Sequence, residues 1–90
     1  MSNAMNNNEI KSALTKYANS DLRAARKDGH ILITQTKRGL CELTFDAQAK
    51  TYLLVVCITD PFQEKAEVVA QGKAGVIRAA LVNLYKVVYA

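Results

Sequence analysis

Asp60-Pro61-Phe62-Gln63, continuing through Glu64-Lys65-Ala66-Glu67-Val68-Val69-Ala70-Gln71-Gly72, is the stretch whose reading decides the fold. Its opening has the marks of a helix start. Asp60 is a capping residue, Pro61 falls at the first helical position where a missing N–H costs nothing, and Gln63 stands at capping-box spacing. Phe62, Ala66, Val69 and Ala70 then share a helical face that runs in phase into Val76, Ile77, Ala80 and Leu84. Two consecutive helices, or one helix kinked at Gly72, are therefore expected from Pro61 onward. Lys73 is the discordant residue, because it would sit in the middle of that apolar face. A kink at Gly72 would move it aside, or its methylene stem could lie along the core with the ammonium in water. A third reading makes 64–71 a fourth strand, with Gly72 turning into the last helix; the helical reading is preferred.

Downstream, only Arg78, Asn83 and Lys86 interrupt an apolar helical run from Ala74 to Ala90. Gly75, Arg78, Val82 and Lys86 line one narrow strip of it, and the rest of the circumference is apolar. Such a helix is expected to lie across a sheet and to meet a second element, either the first helix or another copy of the chain.

Upstream, Asn6-Asn7-Asn8 offers an N-cap with Glu9 in the first turn, and Ile10, Ala13, Leu14, Tyr17, Ala18, Ala24 and Ala25 recur on one face. A first helix is expected from about Asn8 to Lys27, with a break at Asn19-Ser20-Asp21 and a stop at Gly29. From His30 the period changes to that of strands. Lys37-Arg38-Gly39 reads as a three-residue hairpin loop with a left-handed glycine, which pairs Thr36 with Leu40, Ile33 with Leu43 and Ile31 with Phe45. Cys41, Leu43 and Phe45 then face inward, and Leu40, Glu42 and Thr44 outward. Asp46 to Lys50 is a turn. The strand Thr51 to Thr59 is apolar on both faces, so something should cover its second side, a second protomer first of all. The expected fold is α+β: an N-terminal helix, a three-stranded antiparallel meander, and a C-terminal helix or kinked helix pair packed on the sheet.

Ninety residues make one domain with little core to spare. Met1-Ser2-Asn3-Ala4 ahead of a second methionine reads as an expression remnant, which leaves 5–90 as the domain. The longest unbroken apolar run, Tyr52 to Ile58, falls far below the roughly 20 residues that span a bilayer, and no secretory signal follows Met5. No membrane association and a cytoplasmic location are expected. Cys41 and Cys57 lie in apolar strand-like runs and His30 is the one histidine, too few ligands for a zinc site. Two reduced thiols, no metal and no cofactor are expected. No nucleophile has a base and an orienting group beside it in any recognisable pattern, so an enzyme is not expected.

Three features bear on binding. Gln71-Gly72-Lys73-Ala74-Gly75 could hold an anion at Gly72 and Lys73 if a helix starts there, though it lacks the spacing of a nucleotide-binding loop, and a helix kink with close packing at the small residues is favoured over it. Arg23, Arg26 and Lys27 end the first helix, while Lys37 and Arg38 form a hairpin tip; a six-residue strand holds the two groups about 20 Å apart. The net charge of +4, from 12 Lys and Arg against 8 Asp and Glu, is compatible with an acidic partner. The order helix, three strands, helix is similar in outline to the double-stranded RNA-binding domain. The place of that family's Lys-rich helix start here holds Gly72-Lys73-Ala74-Gly75-Val76-Ile77-Arg78, and an outline alone carries no function. The expectation is a small non-enzymatic protein that binds another macromolecule, a protein partner among the candidates, and forms a homodimer or larger oligomer. The alternative is a nucleic-acid-binding module touching phosphates through Arg23, Arg26, Lys27, Lys37 and Arg38.

Overall fold

The chain folds as α1 (Asn7–Asp28), β1 (His30–Gln35), β2 (Leu40–Asp46), β3 (Thr51–Asp60), β4 (Gln63–Gly72) and α2 (Ala74–Tyr89) in a computed structural model that describes residues 6–60 and 63–89. The strands form one antiparallel sheet in the order β1-β2-β3-β4, and both helices lie on one face of it. The core between the layers is built from Leu14, Ala18, Leu22 and Ala25 of α1, Cys41 and Leu43 of β2, Tyr52, Leu54 and Val56 of β3, and Ile77, Leu81, Val82 and Tyr85 of α2.

The first helix starts and stops where its sequence says. Asn6 accepts from the Glu9 N–H at 2.8 Å while the Glu9 carboxylate accepts from the Asn6 N–H, a complete capping box. Gly29 closes the other end in the left-handed conformation, its N–H donating to the Ala25 carbonyl at 2.7 Å. The expected break at Asn19-Ser20-Asp21 is absent. Ala18 and Leu22 are buried on either side of it, and the Asn19 side-chain Oδ1 accepts from Arg78 Nε at 2.6 Å, so this turn of α1 is tied to α2 instead of being broken.

The preferred reading of 61–72 was the wrong one: Gln63–Gly72 is a strand, and the sheet has four strands rather than three. β4 pairs with β3 from Asp60↔Gln63 to Tyr52↔Gly72, with Val69 as an extra, bulged residue. Asp60 and Gln63 being partners, two residues connect the strands; Pro61 and Phe62 themselves lie outside the described residues. The physical reason is the backbone of β3, whose N–H and C=O groups on the side away from β2 need partners that a helix cannot give. The alternation of Lys65 and Glu67 with Ala66 and Val68 was the strand signal, masked by an accidental helical phase. Lys73 then raises no conflict. It is the exposed residue between β4 and α2, and its carbonyl accepts from the Ile77 N–H at 3.2 Å. The fourth strand also takes the chain away from the outline of the double-stranded RNA-binding domain.

The hairpin register differs as well. Thr36 and Gly39 exchange both backbone hydrogen bonds, so the loop is Lys37-Arg38 alone. Ile31 pairs with Leu43 rather than Phe45, and a bulge at Ile33 shifts the ladder to Thr34↔Cys41. A two-residue loop without a bulge would set Ile33 against Glu42, and the bulge removes that clash of faces. Gly39 is needed for a reason other than a left-handed turn. At φ 154°, a Cβ there would lie 2.1 Å from the Cys57 carbonyl oxygen.

The inward and outward faces of β2 fall as its alternation implies, with Cys41 and Leu43 buried. On β3, Tyr52, Leu54 and Val56 are buried and Leu53, Val55 and Cys57 half-buried on the other side. The second element that α2 meets is α1, together with β3 and β4; Val76, Val87 and Val88 remain exposed.

Candidate interaction surface

The registers place three rows of side chains on the sheet face away from the helices. His30-Thr44-Leu53-Gln71 is the first, Leu32-Glu42-Val55-Val68 the second, and Gln35-Leu40-Cys57-Ala66 the third. Among the described residues no element covers them. Seven of these twelve are apolar, and both ends of the middle row stay wet, with Leu32 and Val68 each 58% exposed.

Glu42 is the one carboxylate in the middle of this face, and its neighbours hold it. His30 Nε2 lies 3.2 Å from one carboxylate oxygen, and the Cys57 thiol donates to the other at 2.7 Å. A carboxylate with both oxygens engaged in the plane of the face can be covered at far lower cost than a bare one. Sequence reasoning had found the two-sided apolar character of β3 but neither this trio nor the contribution of β4.

The basic residues do not converge in the way a phosphate-binding ridge requires. Arg23, Arg26 and Lys27 are exposed at the end of α1, where the chain enters β1, while Lys37 and Arg38 are exposed at the far end of that strand. Arg38 is paired with the Glu67 carboxylate of β4, which it reaches across β3. The Arg26 guanidinium sits 5.8 Å from the centre of the Phe45 ring. Gly72 and Lys73 lie at the β4–α2 junction, and Lys73 shares a hollow with Arg26 and with Lys50, a residue that nothing in the sequence had singled out.

A hollow of about 570 Å³ beside α1 is lined by Leu14, Tyr17, Ser20, Asp21, Ile33 and Tyr85. Burial raises the Asp21 carboxyl above its ordinary range. The Cys41 thiol is pushed up to about 11, by burial first and then by the nearby Cys57 and Glu42, which makes it an inert core group rather than a nucleophile. Among the described residues no group of three His, Cys, Asp or Glu side chains is arranged to hold a metal ion, and no helix is long and apolar enough to cross a membrane. Compared with protein-family models, with curated proteins and with solved structures, the chain finds no match.

Proposed function

We propose that this chain is a non-enzymatic interaction protein that pairs with a second copy of itself through the open sheet face. The single observation behind the reading is that face, with its apolar rows and its internally satisfied glutamate. Both edge strands carry a bulge, Ile33 in β1 and Val69 in β4, a device that discourages edge-to-edge pairing and leaves the flat face as the better surface. Within these three rows Glu42 is the one carboxylate, and it is held by the Cys57 thiol and by His30 rather than standing bare. A two-fold related copy offers the face matching apolar rows.

The size of the face sets the expected strength. Strand spacing and row spacing give a patch of roughly 20 by 20 Å, so two copies would cover roughly 800–1,000 Å², below the roughly 1,200 Å² of stable interfaces and in the range of weak, transient ones. With somewhat over half of it apolar, roughly 12–15 kcal/mol of burial stands against roughly 4–15 kcal/mol of association cost. At the lower end of that cost a net of roughly 8 kcal/mol remains, which is a dimer in the micromolar range. Sedimentation equilibrium from 5 to 200 µM is the test, with Leu32→Lys and Val68→Lys as variants whose exposed positions leave the fold intact. The expected result is a concentration-dependent dimer that both variants abolish at unchanged Tm. A wild-type chain that stays monomeric at 200 µM, or variants that stay dimeric, would refute the reading.

Phosphate contact through Arg23, Arg26, Lys27, Lys37 and Arg38 has less to support it, since these residues lie at opposite ends of β1 and Arg38 is engaged by Glu67.

A further inference from the structure

Three cations from three separate elements gather around one hollow of about 440 Å³ at the end of the molecule where α1 finishes and α2 begins. Arg26 comes from the last turn of α1, Lys50 from the β2–β3 turn, and Lys73 from the β4–α2 junction. Phe45 and Tyr52 supply an aromatic wall, their rings 4.7 Å apart. No Asp or Glu lines it, and none of the three cations has a carboxylate within ion-pair distance among the described residues. Asp46, the nearest acid along the turn, uses its side-chain oxygen on the Gln48 and Ala49 N–H groups, at 2.9 and 3.2 Å.

The charged side chains that line the hollow are all of one sign. Like charges brought together without a counter-charge oppose folding, and surface lysines ordinarily have room to avoid one another. Arg26 has lost part of that freedom through its position over the Phe45 ring. The first turn of α2 contains no acidic residue either, so the positive end of that helix adds to the field instead of being offset. The side chains carry the inference; the helix end only reinforces it.

We infer that this hollow binds a phosphate-bearing small molecule of at least two negative charges. Arg26 would contribute planar donors to two phosphate oxygens, and Lys50 and Lys73 would neutralise the remaining charge from the other two sides. The volume lies within the range of small-molecule sites and leaves room for an organic group against Tyr52. A hollow bounded on three sides suits one phosphorylated molecule better than a continuous nucleic-acid backbone, which needs an extended groove.

The test is a titration of the full chain with inorganic phosphate and with pyrophosphate, followed by amide NMR at constant ionic strength. Chloride is the control, and Arg26→Gln, Lys73→Gln and the distant Lys37→Gln are the variants. The expected result is saturable pyrophosphate binding, tighter than that of phosphate, with shifts centred on Arg26, Lys50 and Ala74. Each of Arg26→Gln and Lys73→Gln should weaken it at least about fivefold at a Tm no lower than that of the unaltered chain, and Lys37→Gln should leave it unaltered. Absence of saturation by 10 mM, shifts centred elsewhere, or equal weakening by Lys37→Gln would overturn the assignment. So would an oligonucleotide bound equally well with and without a terminal phosphate while pyrophosphate fails to compete. The sheet face plays no part in this experiment, so its outcome and that of the self-association test are independent.

Discussion

Replacing Gly39 by Asn separates the observed hairpin from the one its sequence first suggests. In a three-residue loop Gly39 would be left-handed, a conformation that Asn also tolerates, and the change would cost well under about 1 kcal/mol. In the structure Gly39 has φ 154°, and a Cβ would stand 2.1 Å from the Cys57 carbonyl oxygen, 2.9 Å from its carbon and 3.2 Å from Ile58 Cα, all backbone of an interior strand. A backbone conformation of that kind costs a side-chain-bearing residue about 1–3 kcal/mol. Relieving the overlap requires the hairpin to move off β3 by about 1 Å, at the expense of one or two backbone hydrogen bonds worth about 1 kcal/mol each. The sum is about 2–5 kcal/mol, a large share of the roughly 5–13 kcal/mol expected for a domain of this size. At about 4–8 °C per kcal/mol, Tm should fall by at least about 8 °C. Gly29→Asn is the internal reference: φ is 81° there and nothing lies within 4 Å of the added Cβ, so a loss of only a few degrees is expected. Thermal and urea unfolding followed by circular dichroism would measure both. If Gly39→Asn melted no lower than Gly29→Asn, the two-residue loop and the bulge at Ile33 would both be wrong.

Two titratable groups give further expectations. Burial raises the Asp21 carboxyl in the folded state, so its ionisation opposes folding once the pH exceeds the unfolded-state value of 3.8. Asp21→Asn should therefore raise Tm at pH 7, with the gain shrinking as the pH falls toward that value; a lower Tm at pH 7 would mean the carboxylate holds something in place. Cys41 titrates near 9 when unfolded and near 11 when folded, so stability should decline as pH rises between those values and the decline should be shallower in Cys41→Ala. An equal slope in both chains would show that the thiol is not held neutral by the core.

What could be read from the sequence was whatever local chemistry alone decides. The capping box of Asn6 and Glu9, the left-handed Gly29 and the alternation of Cys41 and Leu43 each depend on a few neighbouring residues, and each stands in the structure. Beside the break expected in α1, which is absent, two further failures have a common cause in long-range pairing. Asp60-Pro61-Phe62-Gln63 has local features that suit a helix start, and the decision went to the unpaired edge of β3, which no local window contains. The loop at Lys37-Arg38 likewise depended on how closely Gly39 can approach Cys57, a residue 18 positions away. The two-sided apolar pattern of β3 signalled an open face, yet the width of that face depended on β4. Lys50 was invisible because a turn lysine is ordinary until the fold sets it beside Arg26 and Lys73.

The two surfaces differ in a way that salt can resolve. The open sheet face is apolar with its one central carboxylate already engaged, so its association is driven by burial, which screening leaves intact and excluded salts such as sulfate strengthen. The hollow of Arg26, Lys50 and Lys73 attracts through unscreened charge, and raising ionic strength from 0.05 to 0.5 M with a non-coordinating salt shrinks the Debye length from about 14 to about 4 Å. Self-association should therefore hold or tighten over a salt range in which pyrophosphate affinity falls. If both properties instead weakened together, the pairing of copies would itself be electrostatic. The sheet face would then not be where the copies meet.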